Sequence, residues 1–566
     1  MIWYNIKIAI RKFTSQKNIS LLNLLGLSIG MSVAILIFYF VNFETSYDNF
    51  HNEANLIYRI ISVEKGTGGT EYRATTPLPL PDVVSVDIKD AEMSTGMSHF
   101  LFEDEPVQIE NQTFFNLTGF TADKNFLKMF NFPLISGNPN TIFDDLNSVV
   151  LTQSTAKKLF GNENPIGKEI TISKLSFTVA AIMKDLPENS IFKFNLLVSH
   201  LVLNKMHPDL ANLWWWGGSI TFVKIYPNQN IESVRAGLSS IPGKYFPDFL
   251  KGRETYDVQP LKNIHLDNRV WCDDKPPVSS NYLYILLAIA IAVLFIACAN
   301  FVNLSTSQSE KRARETGIRK LSGGGRFQIF CLFIGESVAL SLIALVIAIY
   351  LSILFLPWFN ELSQRNITIH FTNSKIILFI LLFGIITGIL SGFYPALLFS
   401  KYKPVQMLHF RITVPENKIG FRKGFIIAQF LITILLIISQ LFITKQVSFM
   451  KNHNLGFNEE DLMSIPLYYN DENKRLAFAK LFAGSIENES TTYGIRGVTI
   501  SENVPGQNFP NKFAVIPEGS SPEDSKEMVV TSVDEHFTDV FQIPLVSGRI
   551  LSDTIVSDRF KNVLIN

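Results

Sequence analysis

Apolar residues are gathered into five long runs: Ile19–Val41, Tyr282–Val302, Ile329–Trp358, Ile376–Ser400 and Gly424–Thr444. Each reaches the roughly 20 residues that a helix needs to cross the hydrocarbon core of a bilayer. Soluble helices of such length carry a polar face, and these runs have none. A full charge falls inside one of them, Glu336, although a charge at mid-membrane costs about 2.5–3.5 kcal/mol on insertion scales. The pattern predicts five spanning helices.

The runs divide the chain into a leading segment 1–18, a first span 19–42, an outer region 43–281 and a second span 282–306. A basic segment 307–328 follows, then spans at 329–358 and 376–400, a linker 401–423, a fifth span 424–445 and a final region 446–566. Segments 1–18, 307–328 and 401–424 together hold 16 basic and 3 acidic residues, whereas 359–375 has Arg365 and Lys375 as its basic residues. By the positive-inside bias this predicts a cytoplasmic N-terminus, with 43–281 and 446–566 facing outward. The first run is too long for the core of a cleaved leader, and no A-x-A site follows it, so it reads as an anchor. Before it, Trp3, Ile6, Ile10 and Phe13 recur at helical spacing with Lys7 and Arg11 among them. That suits a short helix in the membrane interface, and a purely topogenic role for the basic residues fits equally.

The outer region reads as mixed α/β. Ile57–Val63, Lys174–Ile182 and Ile220–Ile225 have the β-branched composition of strands. Thr152–Phe160, stopped by Gly161, and Ile231–Ser240 read as helices. The cluster Trp214-Trp215-Trp216 could bind an apolar ligand or a partner, but such residues more often fill a core. The fold class is therefore a multi-pass α-helical membrane protein with large α/β extracytoplasmic domains.

An internal repeat runs through this layout. Asp123, Phe126, Phe130, Pro133, Leu134, Ser136 and Gly137 recur as Asp534, Phe537, Phe541, Pro544, Leu545, Ser547 and Gly548, an offset of 411 residues. The same offset carries Arg11-Lys12 onto Arg422-Lys423, each pair just before an apolar run. The second copy stops at Asn566, whose first-copy counterpart lies inside the outer region. Repeat logic therefore predicts a chain cut within its second half, and about eight spans in roughly 800 residues for a complete duplication.

Composition narrows the chemistry. Of the 566 residues 47% are hydrophobic and 47 are Phe, and the mean hydropathy is +0.20, as a membrane protein requires. Net charge is zero, which excludes nucleic-acid binding through bulk charge. That neutrality is a cancellation, because each outer region carries seven more acids than bases. Cys272, Cys298 and Cys331 make no disulfide framework, and no spacing suggests a metal site. The nearest approach to a phosphate loop, Gly161 to Glu169, has five residues between its glycines and ends in Glu, where a Ser or Thr should hold magnesium. No nucleophile elbow or zinc-protease motif stands out, and paired acids such as Asp104-Glu105 and Asp273-Asp274 read as solvated surface. The chain is not expected to be an enzyme.

Several ordered motifs carry a family resemblance: Asn23-Leu24-Leu25-Gly26-Leu27-Ser28-Ile29-Gly30, Glu44-Thr45-Ser46-Tyr47-Asp48-Asn49-Phe50-His51, and Ile57-Tyr58-Arg59. Later come Ala299-Asn300-Phe301-Val302-Asn303-Leu304-Ser305-Thr306, the charged run Lys311 to Lys320, Gly392-Phe393-Tyr394-Pro395-Ala396 and Lys403-Pro404-Val405. Gln429-Phe430 and Asn454-Leu455-Gly456-Phe457 open the second half. Over nearly its whole length the chain resembles a MacB/FtsX-type ABC transporter permease of the large duplicated form common in Bacteroidetes. It departs at Thr316, where an aliphatic residue is usual. It departs again at Ser322-Gly323-Gly324-Gly325, where one Gly-Ala pair is typical and where the extra glycines are expected to loosen the end of a cytoplasmic helix.

The resemblance implies an inner-membrane permease with MacB-like periplasmic core domains, driven by a separate cytoplasmic ABC ATPase that binds the ATP and magnesium. The chain itself then needs no cofactor. It implies a homodimer or pseudo-dimer in membrane lipid, with a periplasmic adaptor or outer-membrane partner as a further expectation. Motion rather than cargo would cross the membrane, for export of antimicrobial peptide, macrolide or lipoprotein-like cargo. An FtsX-like regulator of a periplasmic cell-wall hydrolase is the alternative. The push would enter at residues 310–321, where Glu310, Arg314, Lys311, Glu315 and Arg319 form i,i+4 pairs. Lys311, Arg312, Arg314, Glu315, Gly317, Ile318, Arg319 and Lys320 are the expected coupling residues, with Ile318 and Leu321 packing into a partner groove. Glu336 is expected to be buried near this basic segment in an ion pair or hydrogen bond rather than in a proton relay.

Overall fold

The computed structural model describes residues 17–66, 69–98, 105–139, 141–271, 278–307, 316–369, 374–401, 416–453, 455–458, 461–465, 467, 472–488, 494–505, 512–516, 518–519, 526–559 and 562–565. The proposed interfacial helix at Trp3–Phe13, Cys272, Asp104 and Asp273-Asp274 lie outside them. One compact unit takes in Met1–Tyr47 and Val278–Met450, and a second takes in Asp48–Pro277 and Lys451–Asn566.

The first unit contains the five spans, at Ser20–Thr45, Ser280–Ser307, Arg326–Ser363, Ser374–Lys401 and Lys423–Lys451. Apart from Ile19, every apolar run lies wholly inside its span. Between apolar helices in lipid there is little solvent-driven attraction, so close packing depends on small residues. The third and fourth spans meet along Gly384, Gly388 and Gly392, spaced four apart on one helix face. A Cβ at Gly388 would stand 2.6 Å from the Cα of Val338, and one at Gly392 would stand 2.5 Å from the Cβ of Ser337. The hydroxyl of Ser341 donates to the carbonyl of Gly384 across this seam (2.8 Å). The first span lies against the second, where a Cβ at Gly30 would come within 2.7 Å of Ala297. It also reaches the third through the paired hydroxyls of Ser32 and Ser352 (3.1 Å). The fifth span touches its neighbours in its first turns, Phe425 stacking on Phe295 and Gln429 accepting from Asn303. Residues 437–450 are exposed throughout.

In the second unit, residues 57–271 build one twisted sheet. Ile57–Gly66 pairs antiparallel with both Ile220–Ile225 and Glu254–Pro260. The first strand of the region is thus held beside its last ones, which suits a domain inserted between two spans. From Ile220–Ile225 the sheet continues through Ala91–Ser98 and Gly119–Ala122 to Leu196–Ser199, Ser148–Thr152 and Leu175–Met183. The strand Ile220–Ile225 and the helices Gln153–Phe160 and Ile231–Tyr245 stand where the sequence places them. Gly161, at φ 63°, ends the first helix with its N–H on the Lys157 carbonyl. The central core is aromatic: Phe126, Phe130, Phe132, Phe192, Phe194 and Phe222 interlock, each edge-to-face contact adding about 0.5–1.5 kcal/mol beyond area burial. Of the tryptophan cluster, Trp214 stacks on Tyr245 (4.9 Å), and Trp215 is 56% exposed.

The repeat is visible in the structure. Asp123 accepts from the hydroxyl of Thr95 (2.6 Å), the N–H of Gly96 (2.9 Å) and the N–H of Asn125 (2.8 Å). Asp534 accepts from the hydroxyl of Thr499 (2.5 Å), the N–H of Ile500 (2.7 Å) and the N–H of His536 (3.1 Å). Each aspartate clasps an upstream segment, the strand Ala91–Ser98 in the first copy and the irregular stretch at Thr499-Ile500 in the second, to the start of a short helix, Phe126–Phe130 or Phe537–Val540. Asn131 and Gln542 follow at φ 49° and 54°, and Gly137 and Gly548 at 106° and 93°. Burial pushes the Asp123 carboxyl above the ordinary carboxylate range against the pull of its donors. Burial likewise holds the nearby His200 imidazole below its ordinary value, against Asp123 and Asp82.

Candidate coupling site

Of the expected coupling residues, Lys311, Arg312, Arg314 and Glu315 lie outside the described residues, and Gly317, Ile318, Arg319 and Lys320 lie within them. Residues 316–321 are helical. Thr316 and Gly317 are buried, whereas Ile318 and Leu321 are 61% and 62% exposed. At about 100° per residue, Ile318 falls about 160° and Leu321 about 100° around the axis from Lys320. This short helix therefore has a side turned to the protein and a side turned away.

Lys320 belongs to the inward side. Its ammonium donates to the carbonyl of Ser400 (2.8 Å), in the last turn of the fourth span. Partial burial, with Arg326 nearby, lowers its pKa from the ordinary lysine value.

The glycine run after this helix corrects the sequence reading. Gly323 has φ 93°, and its N–H bonds the carbonyl of Lys320 (3.1 Å), while the N–H of Gly324 bonds that of Arg319 (3.0 Å). This is a Schellman cap, which fixes a helix end. A Cβ on Gly324 would lie 2.9 Å from the Arg319 oxygen, so the close approach requires glycine. Gly325 then donates its N–H to the side chain of Gln328 (3.1 Å), starting the third span. The run stiffens the turn instead of loosening it.

Just beyond, Ile329 and Phe333 of the third span pack on Ala396 and Phe399 of the fourth, with Phe333 and Phe399 at 5.1 Å. Glu336, the chain neighbour of Ser337, is buried at 7% exposure.

At the other end of the spans, sequence reasoning assigned no roles. Glu44 is fully buried and accepts from Nε of Arg365 (2.7 Å). Asn360 folds the chain back there, bonding the carbonyl and N–H of Ile367 (2.9 and 3.2 Å). In the second unit, Asp48 accepts from the hydroxyl of Ser190 (2.8 Å) and the N–H of Ile191 (3.1 Å). The nearby His51 donates from Nδ1 to the carbonyl of Phe130 (2.6 Å). The available signal was three ionisable residues, Glu44, Asp48 and His51, directly after an apolar run.

The phosphate-loop look-alike is occupied by its own groups. Lys168 pairs with Glu163, and the N–H of Gly167 bonds the carbonyl of Val179 (2.9 Å). Neither is presented to a phosphate. Among the described residues, no three His, Cys, Asp or Glu side chains are placed to hold a metal ion.

Residues 20–241 match the family of the MacB-like periplasmic core domain, and residues 287–404 match the FtsX-like permease C-terminal family. The chain is similar to an uncharacterized ABC transporter permease, YvrN, of Bacillus subtilis, at 22% identity over 72% of this chain and 99% of that protein. It is also similar to the macrolide export ATP-binding/permease protein MacB of Chlorobium luteolum, at 24% identity over 46% of this chain and 37% of that protein. The match thus spans well under half the length of that MacB relative. Among solved structures it is similar to a domain of a putative permease protein from Porphyromonas gingivalis. That match has a TM-score of 0.34 and 19% identity, over 37% of this chain and 91% of that one.

Proposed function

We propose that this chain, a MacB/FtsX-type ABC transporter permease, receives the work of ATP hydrolysis from a separate cytoplasmic ATPase at residues 310–321 and passes it to its outer domains. The observation that carries the reading is the pair Ile318 and Leu321, both large, apolar and exposed. They sit on a helix fixed by a glycine cap, within a basic segment. Exposed apolar side chains on a rigid support are what a partner's groove needs.

In this reading the N-terminus and segment 307–328 lie in the cytoplasm, and the ATP and magnesium are bound by the partner. The spans are nearly free of ionisable groups, so they offer no polar path for cargo. Cargo of the antimicrobial-peptide, macrolide or lipoprotein class would be handled on the outer side, by a dimer or pseudo-dimer with an adaptor or outer-membrane partner. Charge reversal at Arg314 and Arg319 tests the docking, with co-purification and ATP hydrolysis by a P-loop ATPase as readouts. Loss of both is expected, and unchanged association and activity would sink the assignment. Binding of the outer domain to cell-wall hydrolases rather than to cargo would favour the regulator instead.

A further inference from the structure

Resting on that reading, we infer that Lys320 is a positioning residue: it ties the coupling segment to the end of the fourth span, so that a push on Ile318 and Leu321 moves the third and fourth spans as one body.

Ser400 is the penultimate residue of the helix Ser374–Lys401. Its carbonyl is among the last four, which have no partner inside the helix and lie at the negative end of the helix dipole. A lysine ammonium is the natural partner for such a group. Lys320 reaches it from 80 residues away in sequence. The tether point is itself firm, because Ser400, Phe399 and Ala396 are all buried. A second connection runs through the chain, since the Schellman cap and the Gln328 contact join residue 321 to the third span by a turn with fixed bonds. Residues 316–325 therefore hold the third span covalently and the fourth through Lys320.

The two spans are in turn locked along the glycine seam and by the Ile329, Phe333, Ala396 and Phe399 cluster. A seam in which a single added Cβ has no room leaves little scope for one helix to slide on the other. Around the helix from the tie stands the exposed apolar pair, Ile318 on the far side and Leu321 to one side. The segment has the geometry of a handle, with one side anchored and the other offered to a partner.

The test uses the full-length chain in lipid nanodiscs with the ATPase subunit recovered with the wild-type chain, comparing Lys320→Met, Lys320→Arg and Ile318→Asp. Lys320→Met should leave association within about twofold of wild type. It should lower permease-dependent ATP hydrolysis about tenfold, the scale set by loss of one charge-assisted bond. Lys320→Arg should restore hydrolysis, since it keeps a cationic donor, and Ile318→Asp should abolish association. A nitroxide at Leu321→Cys, in a chain whose three native cysteines are Ser and without any ATPase, gives a second readout. Lys320→Met should mobilise the label and Lys320→Arg should not. Loss of association in Lys320→Met would make Lys320 a docking residue and overturn the inference. Unchanged hydrolysis and label mobility would overturn it too. If Ile318→Asp still associates while Lys320→Met uncouples and mobilises, the tie stands and the docking surface has been misplaced.

Discussion

The first and fifth spans occupy the same place in the repeat, yet one is the best-covered helix of the membrane unit and the other the least covered. Of the most apolar stretch of each, 61% is buried in the first and none in the fifth. At the offset of 411 residues, Gly26, Gly30 and Ser32 of the first correspond to Ile437, Leu441 and Ile443 of the fifth. The small residues are where the first span meets its neighbours, and the bulky ones stand at matching positions on an uncovered helix. Apolarity brings a helix into the bilayer; small residues decide whether another helix can lie against it. The second unit teaches the converse. The aspartate clasp is kept in both copies, because its donors are a threonine, backbone N–H groups and a turn within the same region rather than a distant partner.

The largest effect should come from the buried ion pair that holds the C-terminal end of the first span. Glu44 faces Arg365, whereas its counterpart in the second half is Leu455, which is exposed. Glu44→Gln leaves a mostly buried guanidinium without its counter-charge, at about 3 kcal/mol. Pulse proteolysis of the full chain in nanodiscs should record it, and a variant as resistant as wild type would remove the ion pair from the account. Next, Gly30→Leu introduces at the first span what Leu441 already supplies at the fifth. With Ala297 at 2.7 Å from the added Cβ, the overpacked helix pair should lose about 2 kcal/mol. A neutral result would mean that the small residues do not set the contact.

The two clasps differ in their surroundings rather than in their bonds. Asp123→Ala and Asp534→Ala each strand a threonine hydroxyl and backbone N–H groups. The first should cost about 2 kcal/mol and the second about 1 kcal/mol, because Asp534 sits among more exposed residues, where water can replace the lost acceptor. Equal losses would show that the surrounding sheet adds nothing to the motif. The first copy should also respond to acid through His200. Its imidazole is depressed below the ordinary value of about 6.5 by burial, so the unfolded chain takes up the proton first. Stability from this group is complete above that value and falls as pH drops below it. A titration of proteolytic resistance from about pH 7 to 5.5 should show the loss, and His200→Gln should flatten it. A slope that survives the substitution would assign the acid sensitivity elsewhere.

Much of this architecture was legible in the sequence. Five apolar runs became five helices, Ile220–Ile225 became a strand to the residue, and the 411-residue repeat reappeared as matched hydrogen bonds. These are signals of period, composition and local spacing. What escaped reading depends on partners far apart in the chain. Lys320 read as one of eight coupling residues with nothing to set it apart, because Ser400 lies 80 positions on, and Glu44 gave no hint of Arg365. The glycines at 323–325 were misjudged for a different reason. Glycine permits both disorder and the left-handed cap conformation, and the hydrogen bonds that select the second do not appear in a one-dimensional pattern.

The smallest expected effect is also the sharpest test of the opening contrast. Leu441→Ala trims a side chain that is 64% exposed on a stretch where every residue from 437 to 450 is exposed. Truncation there opens no cavity, and alanine is at least as good a helix former as leucine, so the change should stay within about 0.5 kcal/mol. The same trimming in the first span, at Leu27, which is fully buried, removes packed atoms and should cost about 3 kcal/mol. Measured side by side in the same nanodiscs, the two truncations ask one question of two helices that share a position in the repeat. Similar losses would mean that the fifth span is covered in the assembled protein, and the contrast between the copies would then belong to the isolated chain rather than to the working permease.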